Sequence, residues 1–154
     1  MIGVATMRPL RSLAALALLA CAKPSDAPML DARFGVFFGG QVQEREELPL
    51  VLDRTRQSHG IRLDFHDPPD RPLRVTWEIE KPAAAKALED AGKLVEYGET
   101  KTRAGEQRLE IPLAFRQNDR PGSWRVRVTV AERVVLDRPF RVVPPGPGPR
   151  ADED

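Results

Sequence analysis

Pro121-Gly122-Ser123-Trp124-Arg125-Val126-Arg127-Val128-Thr129-Val130 is the stretch whose reading decides the fold class. Trp124, Val126, Val128 and Val130 occupy every second place, with Arg125, Arg127 and Thr129 between them. That period belongs to a strand with one apolar and one solvated face. Before it, Arg116-Gln117-Asn118-Asp119-Arg120 supplies a turn-rich connection. After it, a short turn around Ala131-Glu132-Arg133 leads into Val134 to Val143, where Phe140 and Val142 point one way and Arg141 the other. The two runs predict an antiparallel hairpin.

The same period recurs upstream. Leu109, Ile111, Leu113 and Phe115 alternate with Arg108, Glu110, Pro112 and Ala114, and Pro112 asks for an edge or a bulge because it lacks an N–H. Leu94 to Thr102, with Val95 and Tyr97 on one side, reads as the strand that pairs with it across the polar turn Arg103-Ala104-Gly105-Glu106. Leu73, Val75, Trp77 and Ile79 face Arg74, Thr76, Glu78 and Glu80, which makes Trp77, with Trp124, a predicted core aromatic. Ile61, Leu63 and Phe65 precede a turn at Asp67-Pro68-Pro69-Asp70. Pro49 confines Leu48, Leu50 and Leu52 to an edge strand or an irregular extended segment. Phe34, Val36 and Phe38 form a first strand closed by Gly39-Gly40, and Phe37, on its other side, is expected to lie under a neighbouring loop. One segment breaks the pattern: Pro82 to Gly92 holds five Ala with the helix formers Lys86, Leu88 and Glu89, Pro first and Gly last, and predicts a short helix.

About seven strands, turn signals at regular spacing and one helical insertion predict an all-β, two-layer antiparallel sandwich over residues 33–143. Here the chain resembles the immunoglobulin-like domains of bacterial envelope proteins. Pro121 to Val128 is similar to the start of their penultimate strand, Val134 to Val142 to their last strand, and Trp77 falls where they place a core aromatic. The chain has one cysteine, so the intersheet disulfide of antibody domains is excluded.

That cysteine closes the other informative stretch. Met1 to Ser12 carries Arg8 and Arg11, Leu13 to Ala20 is apolar, and Lys23, Pro24, Ser25 and Asp26 follow, the layout of an export signal too short to span a bilayer. Arg8 and Arg11 are not adjacent, which points to the general secretory route, and the start is either Met1 or Met7. Leu18-Leu19-Ala20-Cys21 resembles the lipobox of bacterial lipoproteins. The resemblance implies cleavage before Cys21, acylation of its sulfur and amino group, and anchoring of the mature chain to a membrane leaflet; Ala22 rather than Asp after it favours the outer membrane. Two or three acyl chains hold a protein stably where one does not. Residues 21–32 then serve as lipidated cysteine and tether, and residues 144–154, beginning Pro144-Pro145-Gly146-Pro147-Gly148-Pro149, as a disordered tail.

The chemistry-bearing residues are sparse. Lys and Arg number 24 against 23 Asp and Glu, and removal of residues 1–20 takes only Arg8 and Arg11, leaving one acid in excess. No basic field for nucleic acid results. Asp64, His66, Asp67 and Asp70 gather near one strand end and have the ligand types for a divalent cation; a solvated Asp-Pro-Pro-Asp turn is the plainer account of them. The serines lie in no nucleophile motif, and Gly39-Gly40 lacks the Lys and helix of a phosphate loop. Arg125, Arg127, Arg141 and Arg74 form an outward basic row that Glu78, Glu80 and Glu110 can neutralise. The expectation is a lipid-anchored envelope protein with no cofactor, whose domain binds a protein partner and is not an enzyme. A passive spacer and a metal-dependent domain built on the Asp64–Asp70 loop stay open on the residues alone.

Overall fold

The computed structural model describes residues 28–82 and 93–146. Cys21, the lipobox residues Leu18, Leu19 and Ala20, nearly all of the expected helix at Pro82–Gly92 and the end of the tail lie outside the described residues. The described residues form nine strands: β1 Leu30–Phe38, β2 Gln41–Gln43, β3 Glu47–Pro49, β4 His59–Phe65, β5 Arg74–Lys81, β6 Leu94–Lys101, β7 Arg108–Leu113, β8 Gly122–Val130 and β9 Arg133–Val143. They form two sheets, ordered β2-β1-β4-β7 and β3-β9-β8-β5-β6. The sheets close face to face over one core, because each long strand presents its apolar parity inward. Phe34, Ile61, Leu63 and Ile111 come from the first sheet and Val75, Trp124, Val126, Val128 and Val142 from the second.

The count of about seven strands is corrected by the three-residue strands at the edges. Gln41-Val42-Gln43 folds back on β1 through the left-handed pair Gly39 and Gly40. It has no apolar alternation long enough to register as a strand. Glu47–Pro49 pairs with β9 in parallel, so the sandwich is antiparallel except along this contact. There Pro49 ends an edge strand, as its missing donor requires. β1 begins at Leu30, inside the stretch read as tether, since Leu30 already opposes Phe65.

Two pairings differ from expectation. β6 pairs with β5, with Lys81 opposite Leu94, and β7 pairs with β4, with His59 opposite Leu113, so β6 and β7 belong to different sheets. The polar turn between them is a crossover, and alternation alone carries no information about which strand is the neighbour. The same arrangement accommodates Pro112: β7 is an edge strand. The β8–β9 hairpin forms as expected, with a bulge at Val128/Thr129 that shifts the parity of β9 and turns Val134 outward. Its two-residue turn holds Ala131 at φ 47° and Glu132 at φ 66°, the left-handed pair that lets a tight hairpin follow the strand twist.

The aromatic expectations divide. Trp124 is buried and donates its indole N–H to the Arg120 carbonyl at 3.0 Å. Trp77 is only half-buried: it lies inward near the β6 edge, over Gly98, where a Cβ would overlap its indole ring. Phe38, expected inward, is exposed at the last position of β1. Phe37 is partly covered, with the Arg62 guanidinium carbon 5.9 Å from its ring centre.

Candidate functional site

The register divides the molecule into two ends. β1 enters at one, where Leu30 opposes Phe65, Asp64 opposes Arg108 and Arg74 opposes Lys101. At the other, Val36 opposes His59, His59 opposes Leu113 and Lys81 opposes Leu94. We call these the Leu30 end and the His59 end.

At the His59 end the sandwich buries a set of titratable side chains that alternation does not reveal. His59 and Lys81 take inward places that a strand pattern assigns to apolar residues, and both are 5% exposed. Lys81 Nζ donates to Glu96 Oε2 at 2.6 Å and to Asp119 Oδ1 at 2.9 Å, and sits 5.0 Å from the centre of the Trp124 ring. Asp119 also accepts the Arg116 backbone N–H at 2.7 Å, and Glu96 accepts the Arg116 guanidinium at 2.6 Å. Every buried charge is thus paired, as the cost of desolvating an isolated ion demands. His59 stacks on Phe115 with ring centres 4.4 Å apart and meets Phe34 edge-on. Burial, reinforced by the nearby Arg54 charge and opposed by Asp119, pushes its imidazole down to about 4, so it is neutral at physiological pH. The cavity between His59, Lys81, Glu96 and Trp124 holds about 30 Å³, roughly the share of one water molecule. An organic substrate does not fit there. The signal available in the sequence was a lysine and a histidine on apolar parity; neither was distinguishable from a strand end.

The residues singled out for a metal are at the Leu30 end and are drawn apart. Asp64 is held between Arg33 at 3.2 Å and Arg108 at 2.7 Å. His66 Nε2 is 2.9 Å from Asp31 Oδ2, and that hydrogen bond lowers the Asp31 pKa. Asp67 and Asp70 line an open cleft of about 750 Å³ with Pro68, Pro69, Arg71 and Met29. Among the described residues no group of three or more His, Cys, Asp or Glu side chains is placed to hold a metal ion.

The outward faces are laced with opposite charges. Arg125 and Arg127 both reach Asp137, Arg127 also approaches Glu78, and Arg74 pairs with Glu99. Glu110 takes no part in this row; it lies on the other sheet and binds the buried Arg62 at 2.6 Å. The sheet edges are blunt. β7 carries Pro112, β2 and β3 are three residues long, and the long edge β6 turns the carboxylate of Glu96 inward to Lys81. Short strands, proline and inward charges are the devices that discourage pairing with another chain.

No protein-family model and no curated protein sequence matches the chain. Among solved structures, an alkylpurine DNA glycosylase AlkC of Pseudomonas fluorescens, bound to DNA containing an abasic-site analogue, aligns at 16% identity and a TM-score of 0.43, over 73% of this chain and 30% of that one. An immunoglobulin-like protein of Pseudomonas aeruginosa aligns over 75% of this chain and 97% of its own length, at 18% identity and a TM-score of 0.51. At that identity the likeness is one of fold: the chain folds as an immunoglobulin-like β-sandwich.

Proposed function

We propose that this chain is a lipid-anchored accessory protein of the bacterial cell envelope, tethered through Cys21 and acting by binding a protein partner instead of by catalysis. One observation carries the reading: the chain enters the sandwich at the Leu30 end, and the longest described loop, residues 50–58, stands at the opposite end beside loop 114–121. A tether on one side and the longest described loop on the other is the polarity of a display module. The blunt sheet edges favour loops over strand addition as the contact surface. The buried ionic set around Lys81 is consumed in holding loop 114–121 to β5 and β6, which suits a rigid platform.

Metabolic labelling with an alkyne fatty acid, membrane fractionation and crosslinking in intact envelopes test this with Cys21→Ala beside the wild type. The expected result is label and membrane association in the wild type alone, and a defined crosslinked partner lost on Cys21→Ala. Absence of label on the wild type overturns the anchor. Label without any specific crosslink turns the protein into a passive spacer.

A further inference from the structure

The entering chain and the loop after β4 build one cleft at the Leu30 end. Pro28 and Met29 line it from one side, Asp67 to Arg71 and Leu73 from the other, around a volume of about 750 Å³. Its frame is tied at both rims. The His66 N–H donates to the Met29 carbonyl at 2.9 Å, the Gly105 N–H to the Pro69 carbonyl at 2.7 Å and the Thr102 N–H to the Leu73 carbonyl at 2.9 Å. The hydroxyl of the buried Thr102 accepts the Leu73 N–H at 2.8 Å. Pro68 and Pro69, with φ fixed by their rings, stiffen the wall between those ties.

Apolar and charged groups of both signs share this cleft. Met29 is 71% exposed at its rim, where water gains nothing from its apolar surface. Asp67, Asp70 and Arg71 are exposed and form no ion pair among the described residues. Around the cleft Lys101, Arg103 and Arg133 stand against Glu106 and Glu132, and Lys23 against Asp26 in the tether. An end so balanced exerts no net pull on a polyanion, so a ligand that carries both signs suits the cleft better than one that carries a single sign.

The tether decides what the cleft meets. Met29 follows Cys21 by eight residues, at most about 28 Å of extended chain. The 11 residues of β9 span about 36 Å. With Cys21 acylated, a lead shorter than the sandwich keeps the Leu30 end nearest the leaflet.

We propose that this cleft seats on the leaflet that holds the anchor and takes the headgroup of a phosphatidylethanolamine-type lipid, with Arg71 on the phosphate, Asp67 and Asp70 on the ammonium and Met29 in the apolar layer beneath. The guanidinium fork matches phosphate. The carboxylates match a primary ammonium, which donates hydrogen bonds as a lysine does and a trimethylammonium does not. Apolar burial and charge contact add at a membrane surface. Seated in this way, the sandwich stands on its Leu30 end and presents loop 50–58 away from the membrane. The inference rests on the anchored reading above.

The test is energy transfer from a dye on an introduced cysteine to headgroup-labelled lipid, with the lipidated protein reconstituted in vesicles. Ala104→Cys places the dye in the exposed turn whose Gly105 bonds Pro69, and Arg56→Cys places it at the opposite end. Vesicles of phosphatidylethanolamine and phosphatidylglycerol are compared with vesicles of phosphatidylcholine and phosphatidylglycerol at equal charge. Transfer from Ala104→Cys is expected to be strong in the first and mostly lost in the second, with little from Arg56→Cys in either. Asp67→Asn/Asp70→Asn, Arg71→Gln and Met29→Ser, each added to Ala104→Cys, are expected to lose most of the transfer in the first vesicles at unchanged melting temperature. Equal transfer in the two lipid mixtures, unchanged transfer in any of the three variants, or equal transfer from Arg56→Cys and Ala104→Cys overturns the proposal. So does recovery of the lost transfer on adding phosphatidylglycerol, which makes the contact one of charge alone. Acylation is read separately, because an acylated Cys21 leaves no thiol in the wild type. A wild type that takes up the dye overturns the anchor and the seat together, whereas an anchored protein with equal transfer in both mixtures removes the seat and leaves the anchored module.

Discussion

The two ends of the sandwich both gather charged side chains and hold them in opposite ways. Near His59, the Lys81 and Asp119 side chains are 5% and 4% exposed. Near Leu30, His66 and Asp31 meet at a similar distance with side chains 51% and 58% exposed. Water decides what each pair contributes. An exposed pair exchanges one set of hydrogen bonds for another and is screened by salt. A buried pair has left its hydration behind, so removing one partner strands the other charge.

The largest effect expected from this difference is at Lys81. Lys81→Ala leaves Asp119 and Glu96 without their shared cation and should destabilise the fold by about 3–5 kcal/mol, measured by urea denaturation. Lys81→Met combined with Asp119→Leu removes both ends of the pair and should cost much less than the single substitution. If the single and double variants lose equally, the ionic account of this end is broken and packing alone explains it.

His59 sharpens the same contrast through pH. Its ordinary pKa is 6.5 and its folded value about 4, so between those values the unfolded chain binds a proton that the folded chain refuses. Stability therefore falls as pH drops from 6.5 to about 4, by roughly 1.4 kcal/mol per pH unit and about 3 kcal/mol in total, then levels off for this group. Below that window the carboxylates with lowered pKa, Asp31, Asp53, Glu80, Glu99 and Asp137, continue the loss as they protonate. His59→Leu should flatten the melting-temperature profile between pH 6.5 and 4 and leave the more acidic limb in place.

At the Leu30 end the effects are smaller. Glu132→Gly relieves a non-glycine residue at φ 66° and should stabilise the hairpin by about 1 kcal/mol in thermal melts. His66→Ala should leave the melting temperature unchanged within error, and calorimetric titration with Zn²⁺ or Ca²⁺ should give no binding heat in either form. A metal-dependent heat abolished by His66→Ala would reverse the reading of this end.

The fold class was legible because alternation is a local property. Trp124 to Val130 and Leu73 to Ile79 declare strands with one apolar face without reference to anything else in the chain. The proline positions were equally informative, since a missing N–H constrains Pro49 and Pro112 to edges wherever the neighbours lie. Partner choice was not legible. Leu94–Lys101 and Arg108–Leu113 are adjacent in sequence and fit one another as strands, yet they close different sheets.

The candidate site shows the same division. Residue pattern alone specified a β-sandwich, a cysteine in a lipobox-like setting and a nearly neutral surface composition. Tertiary structure decided that Lys81 and His59, on apolar parity, become a buried ionic and aromatic set, that Asp64 and His66 part company to separate partners, and that Met29 shares one cleft with Asp67, Asp70 and Arg71. The physical reason is range: strand period and backbone chemistry act between neighbours in the chain, whereas burial and ion pairing depend on groups tens of residues apart whose meeting only sheet order arranges.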